Sequence, residues 1–159
     1  MRTLLFLFLL LNFFTNSKEF EDCEGCNAYK CMENVANCGS DGYLIAYGEK
    51  NCKNFNEPEI YERFDESGKK FVNCTGKCLI NNMNHYIEKK AGNINCELLK
   101  EAGFHSHPKC YLDCGFCQIC KTNKYALLRG YDFGDFFSKE AIKQVYIVIN
   151  KCGFFNCFY

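Results

Sequence analysis

"HPKCYLDCGFCQIC", residues 107–120, places four cysteines within eleven positions, with His105 and His107 beside them. As thiolates with imidazoles these residues would form a metal centre; as half-cystines they would be one side of a covalent seam. On an α-helix, at 100° per residue, Cys110, Cys114, Cys117 and Cys120 share about a third of the circumference and form a stripe. The redox state of the compartment decides between the two readings.

The compartment is written at the start of the chain. Residues 1–17, "MRTLLFLFLLLNFFTNS", join a basic residue to an apolar run and a short polar segment, the pattern of a secretory signal peptide. A membrane span needs roughly 20 apolar residues, and no later stretch approaches that. All fourteen cysteines follow the signal. Oxidation outside the cell removes the free thiolates that a metal needs, and C-x3-C-x2-C-x2-C is not a standard zinc or ferredoxin spacing. The segment is therefore read as half-disulfides, with no metal and no cofactor. The nineteen basic and nineteen acidic residues balance, leaving no electrostatic footprint for nucleic acid or an anionic membrane. Residues 18–159 are long enough for one domain with its own core.

Periodicity is helical wherever it is clear. In "GKKFVNCTGKCLINNMNHYIEKKAG", Phe71, Val72, Cys74, Thr75, Cys78, Leu79, Met83, Tyr86 and Ile87 follow the i, i+3, i+4, i+7 pattern. Asp65 or Ser67 caps its start and Ala91-Gly92 ends it. In "SKEAIKQVYIVINKCG", Ser138 is the N-cap and Ile142, Val145, Tyr146, Ile149 and Cys152 line one side. Further helices are expected over 27–37, 42–55, 95–102 (closed by Gly103) and 108–121 (opened by Pro108). The predicted fold is all-α, a disulfide-rich bundle of about five to six helices in a single domain.

Cys74 and Cys78, one turn apart on the strongest helix, form a second stripe. Antiparallel helices pair residues of constant index sum, a condition met by Cys74 with Cys114 and Cys78 with Cys110. Two adjacent rungs follow, if the Cα atoms lie about 4.4–6.8 Å apart.

Other chemistry is sparse. His85 falls on the polar side of its helix, His105 and His107 in a loop before Pro108, and none has a nucleophile beside it. The His-Asp pair of secreted phospholipases A2 does not occur. "GYDFGDF", residues 130–136, lacks the ligand spacing of a calcium loop and reads as a turn. The sequon "NCT" makes Asn73 a candidate glycosylation site.

Taken together, "CNAYKCMEN" (26–34), "NCKNF" (51–55), "FDESGKKFVNCTGKCLIN" (64–81) and the series Cys78, Cys96, Cys110, Cys117 and Cys152 resemble the stanniocalcin family. The resemblance spans residues 23–152. It implies a secreted hormone or regulatory protein, dimeric in that family, linked there to calcium and phosphate homeostasis and to partners such as secreted metalloproteases. It also implies bridges joining Cys23 to Cys31, Cys26 to Cys52, Cys38 to Cys96, Cys78 to Cys110 and Cys117 to Cys152. Cys74, Cys114, Cys120 and Cys157 are additional. Once Cys74 takes Cys114, two outcomes stay open: Cys120 bonds Cys157, or Cys157 joins two subunits in a homodimer. The expected partner is a protein receptor or secreted protein, met through Lys69, Lys70, Lys77, Glu88 and Lys89 or the aromatic end "GFFNCFY". The expectation is of a non-enzyme. The alternative is a secreted cysteine-rich enzyme, lipid-binding module or effector of unrelated ancestry; an apolar cavity holding a histidine and a carboxylate together would favour it.

Overall fold

A computed structural model of the chain describes residues 23–131 and 139–158. The expected signal peptide (1–17), the Ser138 cap and most of "GYDFGDF" lie outside them. The described residues hold nine α-helices and no strand: α1 (Ala28–Ala36), α2 (Lys50–Asn56), α3 (Pro58–Tyr61), α4 (Glu66–Lys89), α5 (Cys96–Asp113), α6 (Phe116–Ile119), α7 (Lys124–Gly130), α8 (Lys139–Cys152) and α9 (Phe154–Phe158). The all-α, disulfide-rich single domain is as expected. The count of five to six fits only helices of seven residues or more; α3, α6 and α9 are short turns of helix that periodicity does not reveal.

The long helix α4 begins where the sequence places it, because the carboxylate of Asp65 accepts from the Gly68 N–H at 2.8 Å and ties down an N–H with no helical partner. Asn123 accepts from the Asp65 N–H at 2.9 Å, fastening the cap to the turn before α7. Phe71, Val72, Thr75, Met83 and Ile87 form the buried face of α4. Phe71 and Val72 meet Phe64, Ile119 and Leu127 in one core cluster. Met83 and Ile87 meet Tyr29, Met32, Tyr43, Leu44 and Leu99 in another.

Segment 42–55 is helical as expected, but its first part, Tyr43–Glu49, is π-helical before it passes into α2. The separate helices expected over 95–102 and 108–121 are replaced by one, α5, that runs through both Gly103 and Pro108. Gly103 is buried against Tyr43, and a Cβ there would lie 2.3 Å from the ring. Its hydrogen side chain thus serves packing. Pro108 has no N–H to give the preceding turn, and nearby the Gly103 carbonyl accepts from Ser106 Oγ at 2.7 Å and bonds His107 Nδ1 at 2.8 Å. Bridges at Cys96, Cys110 and Cys114 hold the helix at both ends. The four-cysteine stripe does break, at Gly115, whose φ of +90° is left-handed; it puts Cys117 on α6 and directs Cys120 toward the C-terminal helices.

Among the described residues no cysteine is free, and seven bridges close the fold. Cys23–Cys31, Cys26–Cys52 and Cys38–Cys96 hold α1, α2 and the start of α5. Cys74–Cys114 and Cys78–Cys110 join α4 to α5 as adjacent rungs, with Cα separations of 5.6 and 5.7 Å. Cys117–Cys152 and Cys120–Cys157 fix α8 and α9, both at 5.0 Å. Of the two outcomes left open for Cys157, the structure shows the intrachain one: its sulfur is bonded to Cys120, and the residue is 1% exposed. The face of α8 also differs from expectation. Ala141, Gln144, Val148 and Cys152 point inward, whereas Ile142 and Tyr146 are 51% and 69% exposed. The short reach from Cys152 to Cys117 sets this rotation.

The two central rungs should not contribute additively. Cys74–Cys114 spans 40 residues and Cys78–Cys110 spans 32. With one in place, the other closes a circuit of only about ten residues. Replacing Cys74 and Cys114 by alanine is expected to cost about 3 kcal/mol, and removing both rungs about 7 kcal/mol, more than twice the single loss. Denaturant unfolding of the two variants checks this; a combined loss no larger than the single one would contradict it.

Candidate functional site

Two kinds of site are possible on such a scaffold, an internal cavity with reactive groups or an exposed face. The main internal candidate lies between α1, α2, α4 and α5, a cavity of about 60 Å³. Its walls are largely aromatic, with Tyr29, Phe55, Phe71, Tyr111 and Tyr131 around His107 and Thr75.

His107 is 3% exposed, not in a surface loop as the sequence suggested. Its place on α5 turns it inward, four residues from the Gly103 carbonyl that its Nδ1 bonds at 2.8 Å. As the donor in that bond, Nδ1 carries the ring proton and leaves Nε2 as the acceptor. The rings of Tyr47 and Tyr111 stand edge-on at 5.7 and 5.6 Å. Burial pushes the His107 pKa down to about 4 despite the opposing effect of the carbonyl bonds, so the imidazole is neutral at physiological pH.

The phenols around it are held neutral by the same burial: Tyr29, Tyr43 and Tyr111 are raised, and Tyr131 is pushed up to about 12 while donating to Tyr111 at 2.8 Å. Thr75 Oγ1 is buried with no protein partner. No carboxylate lines the cavity among the described residues. The histidine half of an acid–base pair is present and its orienting acid is not. His85 and His105 are exposed, and among the described residues no group of three or more His, Cys, Asp or Glu side chains could hold a metal.

The nearest buried carboxylate is structural. Glu49 is 6% exposed, and its Oε1 lies 2.6 Å from Lys53 Nζ and 3.4 Å from Lys30 Nζ. Burial works against its charge, but the two ammonium groups outweigh it and hold the pKa below the ordinary value.

The exposed candidates sit mainly on α4. Lys70, Lys77, Glu88 and Lys89 face solvent, whereas Lys69 is half-buried with its Nζ 2.6 Å from Glu62. Asn73 is exposed in mid-helix, and its amide donates to the Tyr61 hydroxyl at 2.8 Å. The aromatic end does not cover a core edge: Phe154, Phe155 and Phe158 are 54%, 74% and 46% exposed, and only Cys157 of α9 is buried. Sequence reasoning missed the burial of His107 and the outward stripe of α8. The spacing of His107 four residues after Gly103 was the available signal for the first.

The family model described as the Stanniocalcin family matches residues 20–156. The chain belongs to the stanniocalcin family. That match covers all seven bridges except the half contributed by Cys157. No curated protein and no solved structure matches the chain. Stanniocalcins are a family of secreted hormones, which makes this chain a stanniocalcin-like regulatory protein. Among the described residues no helix is long and apolar enough to cross a membrane.

Acid should weaken the protein through His107. The unfolded chain takes up a proton near 6.5 and the folded chain only near 4. Between those values the unfolded state binds more protons, so stability is complete above the window and falls as pH drops through it. The loss should reach about 3 kcal/mol. His107→Gln keeps a donor for the Gly103 carbonyl but cannot titrate. Its melting temperature should stay nearly level across that window, before the separate loss at lower pH as Glu49 protonates; an unchanged acid profile would exclude His107 as the cause.

Proposed function

We propose that this stanniocalcin-like protein is secreted and acts by binding another extracellular protein, with regulation of calcium and phosphate as the process served. The observation that carries the reading is the family match over residues 20–156, together with a scaffold whose interior is stapled shut and whose long helix presents Lys70, Lys77, Glu88 and Lys89 to solvent. The bridges at Cys74 and Cys78, which lie beside these residues on α4, keep that charged surface at fixed geometry, which lowers the ordering cost of binding.

Secretion rests on residues 1–17, whose basic, apolar and polar regions follow the signal-peptide order. A glycan on Asn73 fits its exposure. Its neighbours Cys74 and Thr75 are held in a bridge and buried, respectively, so attachment would precede folding. Catalysis gains little from the cavity: about 60 Å³ is small for a lipid chain or most substrates, and His107 lacks the carboxylate that would make it a base.

Purified, oxidised protein applied to cells of its source should change their calcium or phosphate uptake in a dose-dependent way. Combining Lys70→Glu, Lys77→Glu and Lys89→Glu should lower potency by about tenfold or more, given fully or partly desolvated charge pairs, with helicity and non-reducing mobility unchanged. A response that survives the triple change but disappears with His107→Gln would instead favour chemistry in the cavity.

A further inference from the structure

Of the nine large apolar side chains exposed among the described residues, seven lie after residue 115: Tyr125, Leu128, Ile142, Tyr146, Phe154, Phe155 and Phe158. Charge divides at the same place. Residues 18–114 carry twelve basic and sixteen acidic side chains, residues 115–159 six basic and three acidic. Over the whole chain the balance argues against an anionic surface; over its two parts the C-terminal one is positive.

The geometry of α8 sharpens this. At 100° per residue, Lys139, Ile142, Lys143 and Tyr146 fall on one outward stripe, opposite the inward Ala141, Gln144, Val148 and Cys152. Glu140, the one acidic residue of α8, points toward the flank, where it borders Lys100 and Tyr43. Beyond Gly153 the chain turns into α9, where the ring of Phe154 lies 5.9 Å from that of Phe155 and 4.7 Å from that of Phe158.

A helix of five residues has no stability of its own. Here it is anchored by buried Cys157 to Cys120, a bridge beyond those the family resemblance implies. The bond therefore holds three phenylalanines at the surface when simple core economy would bury them.

We propose that the outer face of α8 and α9 is a docking surface for an anionic lipid bilayer, with the α9 phenylalanines entering the headgroup boundary and Lys139 and Lys143 meeting lipid phosphates. Aromatic rings fringed by lysines suit the wet–apolar boundary, where rings find acyl chains and ammonium groups find phosphate. The disulfides at Cys152 and Cys157 pre-pay the ordering of the surface. The surface is distinct from the α4 face assigned to the protein partner, so either can fail without the other.

The test is co-sedimentation of the oxidised full-length mature protein with vesicles of phosphatidylserine and phosphatidylcholine, and with phosphatidylcholine alone. Binding is expected to the mixed vesicles at low salt and to fall sharply on the neutral ones and at high salt. Lys139→Gln with Lys143→Gln should weaken it by about fivefold per lysine. Phe155→Ser with Phe158→Ser should weaken it at every lipid composition, and both exposed pairs should leave helicity and disulfides intact. No binding at low salt, or binding indifferent to both pairs, would overturn the proposal. Retention on immobilised polyglutamate without vesicle binding would overturn it in favour of an acidic protein, and a concentration-dependent dimer abolished by the phenylalanine changes in favour of a second copy of the chain.

Discussion

Two disulfides between α4 and α5, four residues apart on each helix, are the constraint on which the structure rests. A single bridge would leave the helices free to pivot about the sulfurs. A second, one turn along, removes that freedom and admits only the antiparallel arrangement in a single register. The rest of the core is arranged around this pair: Met83 and Ile87 on α4 reach Leu99 on α5 on one side, while Phe71 and Val72 reach Ile119 and Leu127 on the other. Covalent crosslinks also explain how α5 crosses Pro108 without breaking into two helices, since its ends are fixed from outside.

The same economy shapes the surface. Where bridges supply stability, apolar side chains need not all be buried, and the chain leaves Tyr146, Phe155 and their neighbours in solvent on α8 and α9. Inside, polar groups serve the scaffold: His107 holds a helix carbonyl, Glu49 is neutralised by two lysines, and Tyr131 leans on Tyr111. The chain belongs to a hormone family, and the proposed functions place its action on the faces it presents.

Much of this was legible in the sequence, for identifiable reasons. Cysteine spacing on α4 and α5 is a direct geometric code, because the helical period converts index differences into positions on a face. The Asp65 cap was legible as well, because its bond to Gly68 is local. What failed was reasoning from punctuation. Gly103 reads as a helix stop and Pro108 as a start, yet the first makes room for Tyr43 and the second is tolerated inside a clamped helix. Likewise Ile142 and Tyr146 carry the apolar signal of α8, but the tether from Cys152 to Cys117 turns them outward. His107 was misplaced because its loop was inferred from the same proline. Each error arose where a long-range bond or a close packing contact outweighed a local preference.

Peptide mapping of the secreted, unreduced protein by mass spectrometry tests the central constraint most directly. Cleavage between the cysteines should yield one pair of linked peptides for Cys74 with Cys114 and another for Cys78 with Cys110, in a monomer without titratable thiols. Free sulfhydryls or bound zinc or iron at Cys110 to Cys120, or Cys78 joined to any other partner, would contradict the account.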